Sequence, residues 1–160
     1  MTYRSAANKM SVVIERSRNL DVARIDSLVT RSSSEGFRHV ERLRDEWLSG
    51  LNRFDGPGEA FFVAALGGQA VGVCGLNMDP YTNDPSVGRV RRLYVAPAAR
   101  RRGIGRGLVA AALAEARKSF CKVTLRTEKS DADLLFRAMR LERVEGVDAV
   151  THQFMLHDSQ

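Results

Sequence analysis

Arg100-Arg101-Arg102-Gly103-Ile104-Gly105-Arg106-Gly107 is the stretch of the chain whose residue types could most directly do chemistry. Glycines let a backbone turn tightly, the first residues of a helix leave amide N–H groups without intrahelical partners, and arginines add positive charge. The chemistry this predicts is the holding of an anion, above all a phosphate. The same letters also fit a disordered Arg/Gly tract that binds RNA, or a solvated basic turn. The context favours a structured site, because an extended segment, Val90 to Val95, precedes the string and an apolar-periodic helix running to about Lys118 follows it.

The elements that must position this turn can be read along the chain. Ser11 to Arg16 is a β-branched apolar run suited to a strand, and Asn19 or Asp21 can cap a helix carrying Val22, Ile25, Leu28 and Val29. A second helix places Phe37, Val40, Leu43, Trp47 and Leu51 on one face, and Gly56-Pro57-Gly58 closes the helical pair. Ala60 to Leu66 and Ala70 to Met78 are apolar runs joined by Gly67-Gly68, the pattern of a tight antiparallel hairpin. Val87 to Val95 is a further strand, then come the basic turn and its helix, then a strand from Cys121 to Thr127. Ser130 or Asp131 caps a helix with Ala132, Leu135, Phe136 and Met139 on one face, and Arg140 to Val144 and Val150 to Leu156 are terminal strands. The order is β-α-α-β-β-β-α-β-α-β-β, an α/β (α+β) pattern.

Composition bounds the rest. A chain of 160 residues with 44% hydrophobic content can build one core, so a single domain over residues 10–160 is expected. Residues 1–9 read as a loose polar tail, with Met10 as an alternative start. The net charge of +6 favours anionic partners without choosing among nucleotide, nucleic acid and acidic substrate. Cys74 and Cys121 lie in predicted strands without metal-ligand spacing and read as buried thiols of a reducing compartment. No apolar run is long enough to span a membrane, and a cytoplasmic protein without a metal is expected.

Leu93-Tyr94-Val95-Ala96-Pro97 followed by Arg100-x-x-Gly103-x-Gly105 resembles the signature of the GCN5-related N-acetyltransferases (GNAT), in which Arg/Gln-x-x-Gly-x-Gly/Ala directly follows such a strand. Gly72 and Ala132-x-x-x-Phe136 also fall where family members place similar residues. The resemblance covers nearly the whole chain from Met10 and implies a largely antiparallel seven-stranded sheet flanked by about four helices. It implies acetyl-CoA as co-substrate, its pyrophosphate on the backbone amides from Arg101 to Arg106. The side chains of Arg100, Arg101, Arg102 and Arg106 can meet the phosphates, and Gly103, Ile104 and Gly105 supply backbone. The pantetheine arm would run along Leu93, Tyr94 and Val95, with the Val95 amide near the thioester oxygen as oxyanion donor. Family analogy adds a homodimer.

Two departures from the family pattern concern proton transfer. Phe136 stands where many relatives carry a Tyr that protonates the departing thiolate. A thiol of pKa about 8.5 still leaves at pH 7 with a penalty of about 2 kcal/mol. The strand Val87 to Leu93 carries no carboxylate, yet an amine of pKa about 10.4 must lose a proton, a deficit of about 4.6 kcal/mol at pH 7. Glu35, His39, Glu46, Asp79 and Tyr81 are the candidate bases, none preferred. Arg89 and Arg91 share one face of the strand, with Arg92 on the other. The pair would meet an acceptor carboxylate or phosphate, or guard an exposed strand edge.

The expected activity is therefore transfer of acetyl from acetyl-CoA to a primary amine, of a small molecule or peptide, by direct attack in a ternary complex. A non-catalytic or weakly catalytic acyl-CoA sensor is the alternative, motivated by Phe136 and the missing carboxylate. Nucleic-acid binding ranks low, since Tyr94 alone among aromatics accompanies the basic cluster.

Overall fold

The computed structural model describes residues 11–156; the expected tail and the alternative start at Met10 lie outside them. Seven strands form one sheet in the order β1-β2-β3-β4-β5-β7-β6. The strands are β1 (Val12–Arg16), β2 (Ala60–Leu66), β3 (Gln69–Met78), β4 (Val87–Val95), β5 (Lys122–Leu125), β6 (Glu142–Arg143) and β7 (His152–Met155). Four helices accompany them: α1 (Asp26–Ser34), α2 (His39–Ser49), α3 (Ile104–Ala116) and α4 (Ser130–Ala138). Every strand pair is antiparallel except β4 with β5.

Strand alternation separates two cores. Along β2, Ala60, Phe62 and Ala64 face α3 and α4, whereas Phe61 and Val63 face α1 and α2. Helix α3 buries Ile104, Leu108, Val109, Ala112, Leu113 and Ala116, and is apolar enough to lie across the middle of the sheet. On the opposite face Leu28 and Val29 of α1 meet Val40, Leu43 and Trp47 of α2 over Val73 and Tyr94. Gly72 lets α3 approach the sheet: a Cβ there would stand 3.0 Å from Leu108 Cδ1 and 3.1 Å from the Tyr94 carbonyl oxygen.

Several sequence expectations change in the folded chain. The first helix is split, with Asp21 capping a 3-10 turn (Val22–Ile25) that leads into α1. Neither Ser130 nor Asp131 caps α4; Lys129 holds the cap position with extended backbone and no side-chain bond. Leu51 lies beyond the end of α2, where Gly50 turns left-handed, and is 77% exposed. Cys121 precedes β5 and is exposed, so only Cys74 fits the buried reading. The terminal strands are shorter than the apolar runs suggest: Arg140 at φ 68° turns the chain before β6, and Ala149 at φ 60° turns it before β7.

Arg92 is the main correction. Val73 pairs with Tyr94 and Gly75 with Arg91, so β4 holds one residue more than β3 between these pairs. This bulge centres on Arg92 at φ 61°. It breaks the two-residue alternation and turns Arg92 to the same face as Arg89 and Arg91, where its Nη2 donates to Glu46 on α2 at 3.0 Å.

Candidate active site

The site grows from the divergence of β4 and β5. They pair in parallel only over Val87–Lys122, Gly88–Val123 and Arg89–Thr124, and beyond Arg89 the strands separate. The Ala96 amide donates to the Val71 carbonyl on the β3 side at 2.8 Å. Alternation of backbone groups then directs the amides and carbonyls of Val95 and Leu93 to the opposite, open edge. The bonds received there agree: Leu93 C=O accepts from His39 Nε2 at 3.0 Å, and Val95 C=O accepts from Arg100 Nε at 3.0 Å. Sequence reading singled out the Val95 amide; the Leu93 amide shares its edge, and the bulge at Arg92 aims it.

A cleft of about 640 Å³ fills the gap, floored by Val90 to Leu93 and walled by His39 and Arg42 of α2, Leu125 to Lys129, and Ala132 and Phe136 of α4. Phe136 is 3% exposed, with its ring 5.5 Å from that of His152. His152 in turn bridges Asp133 of α4 at 2.7 Å and the Thr151 hydroxyl at 2.8 Å, which ties α4 to β7. Lys129 Nζ stands 3.1 Å from the centroid of Phe37, linking the β5–α4 loop to the α1–α2 loop. Sequence reading missed Lys129, Arg42 and Arg126 as cleft residues, since only the tertiary approach of the two loops brings them in.

Beside the cleft, the basic turn delivers the geometry read from its letters. Gly103 occupies the left-handed region at φ 76° as the residue before α3, and nothing lies within 4 Å of where its Cβ would be. The first bond of α3 runs from Gly107 N–H to Gly103 C=O, which leaves the amides of Ile104, Gly105 and Arg106 outside the ladder. Gly105 looks towards Leu135 and Val95, whose side chains would stand 3.6 and 3.7 Å from a β-carbon added there, so the turn adjoins the open edge of β4. Arg101, Arg102 and Arg106 are exposed. Arg100 differs from them, giving both terminal nitrogens to Glu35 at 2.8 and 2.9 Å.

The candidate bases separate by surroundings. Glu35 accepts from Arg100 and from the Tyr94 hydroxyl at 2.6 Å, and these bonds hold its carboxyl below the usual range. Burial and the same contact push the Tyr94 phenol above its ordinary value. Glu46 pairs with Arg92, and buried Asp79 accepts from Thr124 Oγ1 at 2.7 Å and from the Tyr81 amide at 2.9 Å. His39 and Tyr81 line the cleft. Burial holds the His39 imidazole below its usual value, so the ring is neutral at pH 7. A carbonyl only accepts, so Nε2 carries the proton and Nδ1 keeps a lone pair. Cys74, its thiol pushed up to about 12 by burial, is inert as a nucleophile.

Among the described residues no group of three His, Cys, Asp or Glu could hold a metal ion, and no helix is long and apolar enough to cross a membrane.

The chain and its fold have counterparts. A profile of the Acetyltransferase (GNAT) family matches residues 19–137. A protein assigned as an acetyltransferase from Exiguobacterium sp. 255-15 is 31% identical, with a TM-score of 0.80 over 91% of this chain and 94% of its own. Two further structures share the fold at lower identity. One is yncA from Salmonella typhimurium, with its cofactor acetyl-CoA (14% identity, TM-score 0.68, covering 92% and 95%). The other is the GNAT family N-acetyltransferase YhbS from Escherichia coli in complex with CoA (18% identity, TM-score 0.68, covering 92% and 83%). Comparison with the curated proteins returned no match. The chain belongs to the GNAT acetyltransferase family.

Proposed function

We propose that the protein is an N-acetyltransferase that moves acetyl from acetyl-CoA to a primary amine by direct attack within a ternary complex. The observation that carries this is the unpaired edge of β4, where Leu93 and Val95 present amides beside the free amides at the start of α3. Ile104, Gly105 and Arg106 would hold the pyrophosphate through backbone N–H groups, with Arg101, Arg102 and Arg106 adding charge. Extended backbone at Leu93 to Val95 would pair with the pantetheine amides as a missing strand would. That yncA was solved with acetyl-CoA and YhbS with CoA supports the choice of co-substrate.

In this reading His39 Nδ1 accepts the proton of the attacking amine, while the Val95 or Leu93 amide donates to the carbonyl oxygen as it becomes negative. The C–N bond forms, the C–S bond breaks, and the electron pair leaves on sulfur. Phe136 has no proton to give, so water protonates the thiolate. Phe136 and the carboxylate-free β4 also suit the second reading, an acyl-CoA sensor with little or no turnover.

Thiol release from acetyl-CoA against a panel of amines separates the two, since a sensor binds without turnover. Thermal stabilisation by acetyl-CoA tests binding itself. Gly105→Glu should abolish that stabilisation by placing a carboxylate at the helix start. Gly105→Ala is the control for folding, because its methyl group would make only ordinary contacts. Undiminished acetyl-CoA binding by Gly105→Glu would refute the site.

A further inference from the structure

We propose that the acceptor bears a carboxylate besides its amine, held in the cleft by Arg89 and Arg91. The inference rests on the acetyl-transfer reading of the same cleft and names the class of its second substrate. Both arginines line the cleft from one face of β4, two residues or about 7 Å apart. The alternative expectation, that they guard an exposed sheet edge, does not fit Arg89, which sits in the paired part of β4 and is only 5% exposed, or Arg91, which is half-buried in the cleft.

What makes these residues a site is the unfinished state of their bonding. The Arg89 side chain is 7% exposed, yet among the described residues its Nη1 has no hydrogen-bond partner. Its Nη2 donates to Ala149 C=O at 2.7 Å, and its Cζ lies over the Tyr81 ring, 4.5 Å from the centroid, which fixes the guanidinium in place. Asp79 stands 3.9 Å from Nη1, beyond hydrogen-bond length, and already accepts from Thr124 and Tyr81. A buried cationic donor left without an acceptor is unfavourable unless a ligand supplies one.

Arg91 contributes the missing charge. Among the described residues its one side-chain hydrogen bond runs at 3.4 Å to the neutral amide oxygen of Asn77, and no carboxylate lies within 4.0 Å of it. Its neighbours are balanced, with Arg92 on Glu46, Arg126 on Glu128, and Asp79 close to Arg89. The Arg91 charge beside the unused Arg89 donor offers two points of contact to the two oxygens of a carboxylate, while Arg42 and Lys129, the other cleft cations without an ion pair among the described residues, act on His39. An anion seated at Arg91 sets a tethered amine on course for the Leu93–Val95 edge, two to four residues further along β4.

The test uses matched acceptors with acetyl-CoA and the full chain: β-alanine against β-alaninamide, lysine against lysinamide, and O-phosphoethanolamine against ethanolamine. Acids should exceed their amides in kcat/KM by about 10- to 100-fold, the scale of a charge-assisted hydrogen bond. Arg91→Gln, at a half-buried position and safer for folding than a change at Arg89, should bring the acid-to-amide ratio near one while acetyl-CoA KM stays put. Arg91→Lys should restore part of the ratio. Equal use of acids and amides, preference for the phosphate over both carboxylates, or an unchanged ratio in Arg91→Gln would overturn the proposal. Calorimetric binding of β-alanine and lysine to CoA-saturated protein reads the anion site without turnover. Binding lost in Arg91→Gln, with no amine acetylated, keeps the anion site and removes the transfer reading. Brisk acetylation of neutral amines does the reverse, and failure of both carboxylates to bind removes the anion site.

Discussion

His39 shows how one hydrogen bond assigns a chemical state. Donation from Nε2 to Leu93 C=O leaves Nδ1 basic, and burial keeps the ring neutral at pH 7. His39→Gln can still donate to the carbonyl through its amide but cannot accept a proton. It should lower kcat by about 10²-fold, with acetyl-CoA KM unchanged in steady-state assays. Wild-type rate should fall on the acid side through a pKa below 6.5, the ordinary imidazole value, and the variant should lack that limb. Stability follows the same sign. The unfolded state takes up a proton at higher pH than the folded one, so stability falls as pH drops through 6.5 towards the lowered folded value. Thermal melts of wild type against His39→Gln across this window should show the wild type losing more.

At the scale of elements, the bulge in β4 and the close approach of α3 decide where the cleft opens. Arg92 holds φ 61°, a conformation that glycine accepts freely and a β-branched residue does not. Arg92→Gly and Arg92→Val both lose the Glu46 ion pair, so their difference isolates the backbone. Arg92→Val should be less stable by about 1–2 kcal/mol in urea titrations; equal midpoints would mean that the bulge is not held at Arg92. Gly72→Ala tests the approach of α3. Its methyl group would meet a carbonyl oxygen at 3.1 Å as well as two side chains, and backbone cannot yield as a side-chain end can. A loss of about 1–3 kcal/mol is expected, together with weaker stabilisation by acetyl-CoA, since α3 carries the proposed pyrophosphate amides.

Across the whole molecule, Glu35 joins three parts. It stands at the end of α1, accepts from Tyr94 on β4, and receives both terminal nitrogens of Arg100 from the turn before α3. Arg100 thereby positions the turn through Glu35. Glu35→Gln and Arg100→Gln should raise acetyl-CoA KM to a similar degree, and the double variant should be no worse than either alone. Additive losses would instead place Arg100 on the phosphates directly. The bonds that lower the Glu35 pKa stabilise the fold above its ordinary value of 4.5, and this contribution is lost as pH falls through the lowered folded value. The stability gap between wild type and Glu35→Gln should therefore close in acid, read by denaturant midpoints at descending pH.

What the sequence determined by itself were the features set by local chemistry. Gly67-Gly68 marks the hairpin, the apolar period marks the helix after the basic turn, and Gly103 marks the left-handed turn into that helix start, because each depends on a few adjacent residues. The family signature joined these into the fold and the family. Tertiary structure decided the rest, since the deciding partners are far apart in the chain. Arg100 meets Glu35 across 65 positions, and Arg89 meets Ala149 across 60. Alternation predicted Arg92 on the wrong face because nothing local to β4 announces the extra residue, which is forced only by pairing with β3. His39 could be proposed as the base only once folding had carried it onto Leu93. A basic turn is legible from its letters because its donors are its own backbone, whereas proton transfer and acceptor choice depend on side chains that only packing brings together.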